Sequence, residues 1–182
     1  FEYYQAIGSA SSLPFFVYHL SGVSKMAIGS THYTSRLLAV PNIAGMKITD
    51  RDLYTFGLIK AFTRERLQLL SGADEVMCQA VLSGAQGAIG TFYNLWGPVC
   101  KRAREICVAG DMATAQEFML CFQSAIASVL TSGSLWTFIR SAMRVKYGID
   151  VGMPRPPLGT HEKPWRDDDV RQIISQVDAT IS

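Results

Sequence analysis

The residues in this chain best suited to carry chemistry are a lysine, a tyrosine, two acidic residues and two threonines. Lys47 interrupts an otherwise apolar run, Ile-Ala-Gly-Met-Lys-Ile, from Ile43 to Ile48. The run reads as a β-strand, and side chains alternate along a strand, so Lys47 faces away from Met46 and Ile48. An amine held in an apolar wall is favoured in its neutral, nucleophilic form and can attack a carbonyl to form a Schiff base. A lysine near a strand end can equally snorkel to solvent. Position alone leaves both readings open. Tyr18 ends another apolar run, Leu13 to Tyr18, and could shuttle a proton or anchor a carboxylate. Taken alone it also reads as a core tyrosine with one hydrogen bond. Asp74 and Glu75 could hold substrate hydroxyls, or could simply open a helix and complement its dipole. Thr49 follows the lysine by two residues. Thr91 could donate a hydroxyl or cap the helix that follows. His19 neighbours Tyr18 and faces the other way, so packing is its expected role. His32 and His161 fall in stretches read as loops and are assigned nothing.

The elements that must position these groups form a regular rhythm. After an opening stretch, Phe1 to Ala6, that reads as the tail of a helix, apolar strands are expected at Leu13–Tyr18, Ile43–Ile48, Leu67–Leu70 and Gly87–Gly90. Helices are expected at Thr34–Val40, at Asp52–Thr63 with Asp50 as its N-cap, and from Asp74 to about Leu82. Strand and helix alternate at the spacing of βαβ units. The strands are uniformly apolar, which favours a parallel sheet covered on both faces or a barrel wall. The last strand is glycine-rich, so some group is expected to approach its backbone closely. In parallel α/β folds ligands bind at the carboxyl ends of the strands. Tyr18, Lys47 with Thr49, Ser71 to Glu75, and Thr91 all lie at those ends. From Tyr93 onward only helices are expected: Tyr93–Ala109 stopped by Gly110, a helix capped by Asp111 and ended near Gly133, and Leu135–Tyr147 ended by Gly148. A proline-rich irregular loop, Gly152–Pro164, then leads to an amphipathic helix, Asp167–Ile181.

Composition excludes several function classes. The chain has 182 residues, 48% hydrophobic and 18% charged, with a net charge of +2. That is a globular composition, with too little positive charge to argue for nucleic acid or an anionic membrane. No apolar stretch approaches the roughly 20 residues that span a bilayer. Cys78, Cys100, Cys107 and Cys121 show no metal-ligand spacing and fall in expected helices. Free thiols in a reducing, cytoplasmic compartment are the expected state. No metal and no cofactor is expected. The chain opens without an initiator Met or signal segment, and it reads as starting mid-domain.

Once assembled, these segments resemble the N-acetylneuraminate lyase and dihydrodipicolinate synthase family of pyruvate aldolases. FFVYH (Phe15–His19) resembles the strand carrying the family tyrosine, and GMKITDRDLY (Gly45–Tyr54) the Schiff-base lysine segment. SGADE (Ser71–Glu75) and GAQGAIGTFYN (Gly84–Asn94) resemble the two following substrate loops. MPRPPL (Met153–Leu158) resembles a proline-rich stretch near the family's C-terminus. The resemblance implies an α/β fold, the (β/α)₈ barrel. This chain would supply only strands five to eight, over residues 1–110, with a helical extension over residues 111–182. It implies Lys47 and Tyr18 as catalytic residues. Thr49, Gly72, Asp74, Glu75 and Thr91 would bind substrate. The implied activity is a pyruvate-dependent aldolase that cleaves N-acetylneuraminate to N-acetylmannosamine and pyruvate. A dihydrodipicolinate synthase, another 2-oxo-acid aldolase or dehydratase, and a non-catalytic binding homologue are the alternatives. Pyruvate, a sugar aldehyde or sialic acid are the implied small-molecule partners, and a homotetramer the implied assembly. The lyase branch fits better, because no arginine follows Tyr18 before Arg36. Two departures stand out. The loop after the tyrosine reads Leu20-Ser21-Gly22-Val23-Ser24-Lys25, and Thr91 replaces a usual serine. Half a barrel exposes sheet edges, so the chain alone is expected to fold poorly and to be inactive.

Overall fold

The structure, a computed structural model, describes residues 1–24 and 27–181. Lys25, at the end of the departing loop, therefore lies outside the described residues. The chain divides into two compact units, Phe1–Gly90 and Thr91–Ser182.

The first unit is built of parallel α/β repeats. Its elements are α1 (Glu2–Ser9), β1 (Phe15–Leu20), α2 (Thr31–Leu38), β2 (Ile43–Thr49), α3 (Leu53–Thr63), β3 (Gln68–Ser71), α4 (Met77–Leu82) and β4 (Gly87–Ala88). The four strands pair in sequence order, β1-β2-β3-β4, and every pairing is parallel. This is the α/β class expected from the spacing. Alternation along the strands sends Val17, Met46, Ile48 and Leu69 into one buried cluster. Tyr33 and Leu37 of α2 and Phe56 and Ile59 of α3 complete it. The strands present Phe16, Tyr18, Lys47 and Leu70 at the alternate positions, where burial is incomplete. Of the two expectations, a sheet covered on both faces or a barrel wall, the first does not hold in this chain: Phe16 and Tyr18 keep 37% and 54% of their surface exposed. The strands read as two-sided because the open face is itself lined by apolar and aromatic residues.

Local chemistry moves three expected boundaries. The side chain of Asp52, not Asp50, caps α3 by accepting from the Thr55 N–H at 3.0 Å. Asp50 instead accepts from the Asp52 N–H at 2.9 Å, closing a turn one step earlier. Helix α2 begins at Thr31 because Ser30 accepts from the Tyr33 N–H. His32 therefore lies in that helix and not in a loop. Asp74 and Glu75 do open a helical segment, but its first turn, Asp74–Val76, is a 3₁₀ turn.

The second unit is all helix: α5 (Tyr93–Ala109), α6 (Met112–Thr131), α7 (Leu135–Tyr147) and α8 (Asp167–Asp178). Gly110 and Gly148 end α5 and α7 in the left-handed region, at φ 94° and 69°, where glycine carries no Cβ penalty. Asp111 caps α6 through the Thr114 N–H at 3.1 Å. The aromatic centre is Trp96, edge-on to Phe122 and stacked with Phe138, and Phe138 in turn meets Trp165. Pro98 lies inside α5, and Trp96 just before it departs from helical geometry. The sequence reading did not anticipate that kink. Among the described residues no helix is long and apolar enough to cross a membrane.

Candidate active site

Parallel pairing places Tyr18 of β1 directly beside Lys47 of β2, as register partners. Both side chains occupy the face of the sheet that the helices leave open. The Lys47 Nζ lies over the Tyr18 ring, 4.4 Å from its centroid, within the distance at which a ring face attracts a cation. Thr49 sits two residues beyond Lys47 and so shares its face. Its hydroxyl donates to the Tyr18 oxygen over a long 3.4 Å. An amine, a phenol and a secondary hydroxyl are thereby grouped at the carboxyl ends of β1 and β2.

Gly72 closes this group from the β3 side. Its N–H donates to the Ile48 carbonyl at 2.8 Å, continuing the pairing of β2 with β3 by one residue. A Cβ at Gly72 would overlap the Thr49 hydroxyl and stand 2.8 Å from the Lys47 Cε. The absence of a side chain there is what leaves room for the lysine tip and the threonine.

Asp74 and Glu75 share a turn but not an environment. Asp74 is buried, 5% exposed. Its carboxylate lies against Gly90, where a Cβ would collide with it. This is the close approach expected at the glycine-rich strand. Glu75 is less buried and pairs with Arg51, Nε to Oε1, at 2.7 Å. Arg51 lies in the turn after β2 and the sequence reading assigned it nothing. The arrangement Lys47-Ile-Thr-Asp-Arg51 could have pointed to it, because the turn that leaves a functional strand end tends to reach the site.

His19 points to the helix-covered face, as alternation requires, and is buried. Burial lowers its pKa and the Asp50 carboxylate partly opposes that shift. Thr91 belongs to the second unit. It does not cap α5 through its side chain: the N-cap position is Phe92, and Thr91 offers its backbone carbonyl to the Asn94 N–H and side-chain amide. Among the described residues no cluster of His, Cys, Asp or Glu is arranged to hold a metal ion.

The profile of the dihydrodipicolinate synthetase family matches residues 1–177. The N-acetylneuraminate lyase of Mus musculus is 30% identical over 156 residues, covering 85% of this chain and 49% of the mouse protein. Among solved structures, the Proteus mirabilis N-acetylneuraminate lyase superposes with a TM-score of 0.77 at 27% identity, over 98% of this chain and 59% of that one. The wild-type Ruminococcus gnavus sialic acid aldolase superposes with a TM-score of 0.86 at 20% identity, over 98% and 60%. The chain spans about half the length of the curated relatives it matches.

Proposed function

We propose that this chain, which belongs to the dihydrodipicolinate synthetase family, carries the Schiff-base half of a pyruvate-dependent aldolase. In this reading β1 to β4 are the last four strands of a (β/α)₈ barrel, and α5 is the helix that follows the eighth strand. A helical extension begins at Asp111. The open face bearing Tyr18 and Lys47 is the inner wall of the barrel, completed by four further strands. The chain's coverage of about half of each relative supports this reading, as does the run of four parallel strands in sequence order.

The observation that carries the chemistry is the register pairing of Tyr18 with Lys47, amine against phenol ring on the open face. Lys47, having given up its ammonium proton, attacks the keto carbon of a 2-oxo acid; return of that proton and loss of water leave a protonated imine. Tyr18 takes the proton from the C4 hydroxyl as its own phenolic proton passes to the substrate carboxylate. The C3–C4 bond breaks, its electron pair moves into the imine, and an aldehyde departs. The remaining enamine is protonated at C3 by the proton taken from the C4 hydroxyl. Water then hydrolyses the imine and releases pyruvate and free Lys47. Thr49, donating to the phenolic oxygen, leaves the tyrosine's own proton directed away from itself. Gly72 keeps the lysine tip unobstructed, and Asp74 and Glu75 accept from hydroxyls on the aldehyde portion. The resemblance of Gly84–Asn94 to the family's substrate loop is what makes Thr91 a candidate for substrate binding.

The substrate that fits this set best is N-acetylneuraminate, cleaved to N-acetylmannosamine and pyruvate. Two acidic side chains after β3 suit a polyhydroxylated tail better than a second carboxylate, and no arginine follows Tyr18 in its loop. Full-length protein incubated with N-acetylneuraminate should yield both products in equal amounts. Condensation of pyruvate with an amino-acid semialdehyde, and no cleavage of the sugar acid, would instead assign the synthase reaction.

A further inference from the structure

We propose that Arg51 is a positioning residue that sets specificity for the hydroxylated tail of the substrate by fixing Glu75. The proposal rests on the aldolase reading above and deepens it. Arg51 stands at the rim where β2 ends, four residues beyond Lys47. Its backbone is pinned on both sides: the Asp52 N–H donates to Asp50 Oδ1 at 2.9 Å, and the Leu53 N–H donates to the Arg51 carbonyl at 2.9 Å. The side chain therefore starts from a fixed point. It crosses to the loop after β3, where its Nε donates to Glu75 Oε1 at 2.7 Å. Glu75 is anchored in turn by its 3₁₀ segment, in which the Val76 N–H donates to the Ala73 carbonyl.

The pair thus ties the strand end that presents Lys47 and Thr49 to the loop that presents Gly72 and Asp74. A glutamate on a loop samples several rotamers, and each must be surrendered when a ligand is bound. A guanidinium holding one carboxylate oxygen removes that cost in advance. A planar fork does this better than a point charge, so lysine is a partial substitute only. The side chain of Arg51 is 72% exposed and that of Glu75 26%. The pair is accessible to a ligand at the rim, and no core depends on the arginine.

Steady-state kinetics of the full-length protein test this, with Arg51→Ala and Arg51→Lys beside the unaltered enzyme. Arg51→Ala should raise KM for N-acetylneuraminate about fivefold, the scale of an exposed ion pair, with a much smaller change in kcat. Arg51→Lys should recover part of the loss. Aldol addition of pyruvate to glycolaldehyde, which has no hydroxyl chain to reach Glu75, should not follow the same pattern. Equal losses with N-acetylneuraminate and with glycolaldehyde, or no change with either, would overturn the proposal while leaving the aldolase reading intact. If the unaltered protein forms no pyruvate imine at Lys47, the aldolase reading itself fails and takes this proposal with it.

Discussion

Replacing Gly72 with alanine probes the site with a single added methyl group. The backbone at Gly72 is outside the left-handed region, so alanine introduces no conformational strain there. What changes is space. The new Cβ would sit on the Thr49 hydroxyl, 3.0 Å from the Thr49 Cβ and 2.8 Å from the Lys47 Cε. Neither side chain can remain where it is. Thr49 must rotate and give up its bond to Tyr18, which at 3.4 Å and partly exposed lies near the low end of the roughly 0.5–1.5 kcal/mol of a typical hydrogen bond. Overpacking of a closed core costs about 1–3 kcal/mol. On this open face the lysine tip can swing away, so the loss of stability should fall at the bottom of that range. The catalytic loss should be larger, because moving a reacting group by about 1 Å can cost about 10²-fold in rate. The assay compares rates of borohydride-trapped pyruvate adduct in unaltered and Gly72→Ala full-length protein, beside their melting curves. A rate lowered by at least tenfold with a small shift in melting is the expected result. Trapping at the unaltered rate would refute the claim that Gly72 holds space for Lys47 and Thr49.

Gly90→Ala should act through Asp74, whose carboxylate occupies the position the new methyl group needs. KM for a hydroxylated substrate should rise while pyruvate trapping persists, and unchanged KM would contradict the role given to Asp74. His19 predicts a pH dependence of stability. Burial lowers its folded pKa below the unfolded value near 6.5. Its contribution is therefore present above about pH 6.5 and is lost as pH falls through the folded value. His19→Asn should flatten the decline in melting temperature between neutral and mildly acidic pH, and parallel profiles would exclude this. The isolated 182-residue chain, with β1 and β4 unpaired on one side each, should lack a cooperative melt and aldolase turnover. Observing both would show that four strands suffice.

The strands were legible, to within about two residues at their ends, because each is a short apolar run, and two helices, Tyr93–Ala109 and Leu135–Tyr147, match their expected spans because glycine ends both. The pairing of Tyr18 with Lys47 was legible only in outline. Sequence spacing puts both at strand ends, whereas their partnership is a matter of register, fixed by the pairing of β1 with β2. The division of labour between Asp74 and Glu75 could not be read from adjacent acidic letters. It depends on what each meets in space: Gly90 for one, Arg51 for the other. The caps misled for a similar reason. Asp50 and Asp52 are both good capping residues, and the choice is made by an Asx turn that uses the first to orient the second. The open face was hidden because Phe16 and Leu70 are apolar whether or not anything covers them.

The central claim is that Lys47 forms an imine with pyruvate. Full-length protein should be incubated with pyruvate, reduced with borohydride, digested and mapped by mass spectrometry. The account predicts one reduced pyruvate adduct, carried by Lys47, and none in a Lys47→Ala variant. Catalytically active protein with no adduct on Lys47, or with the adduct on another lysine, would contradict it.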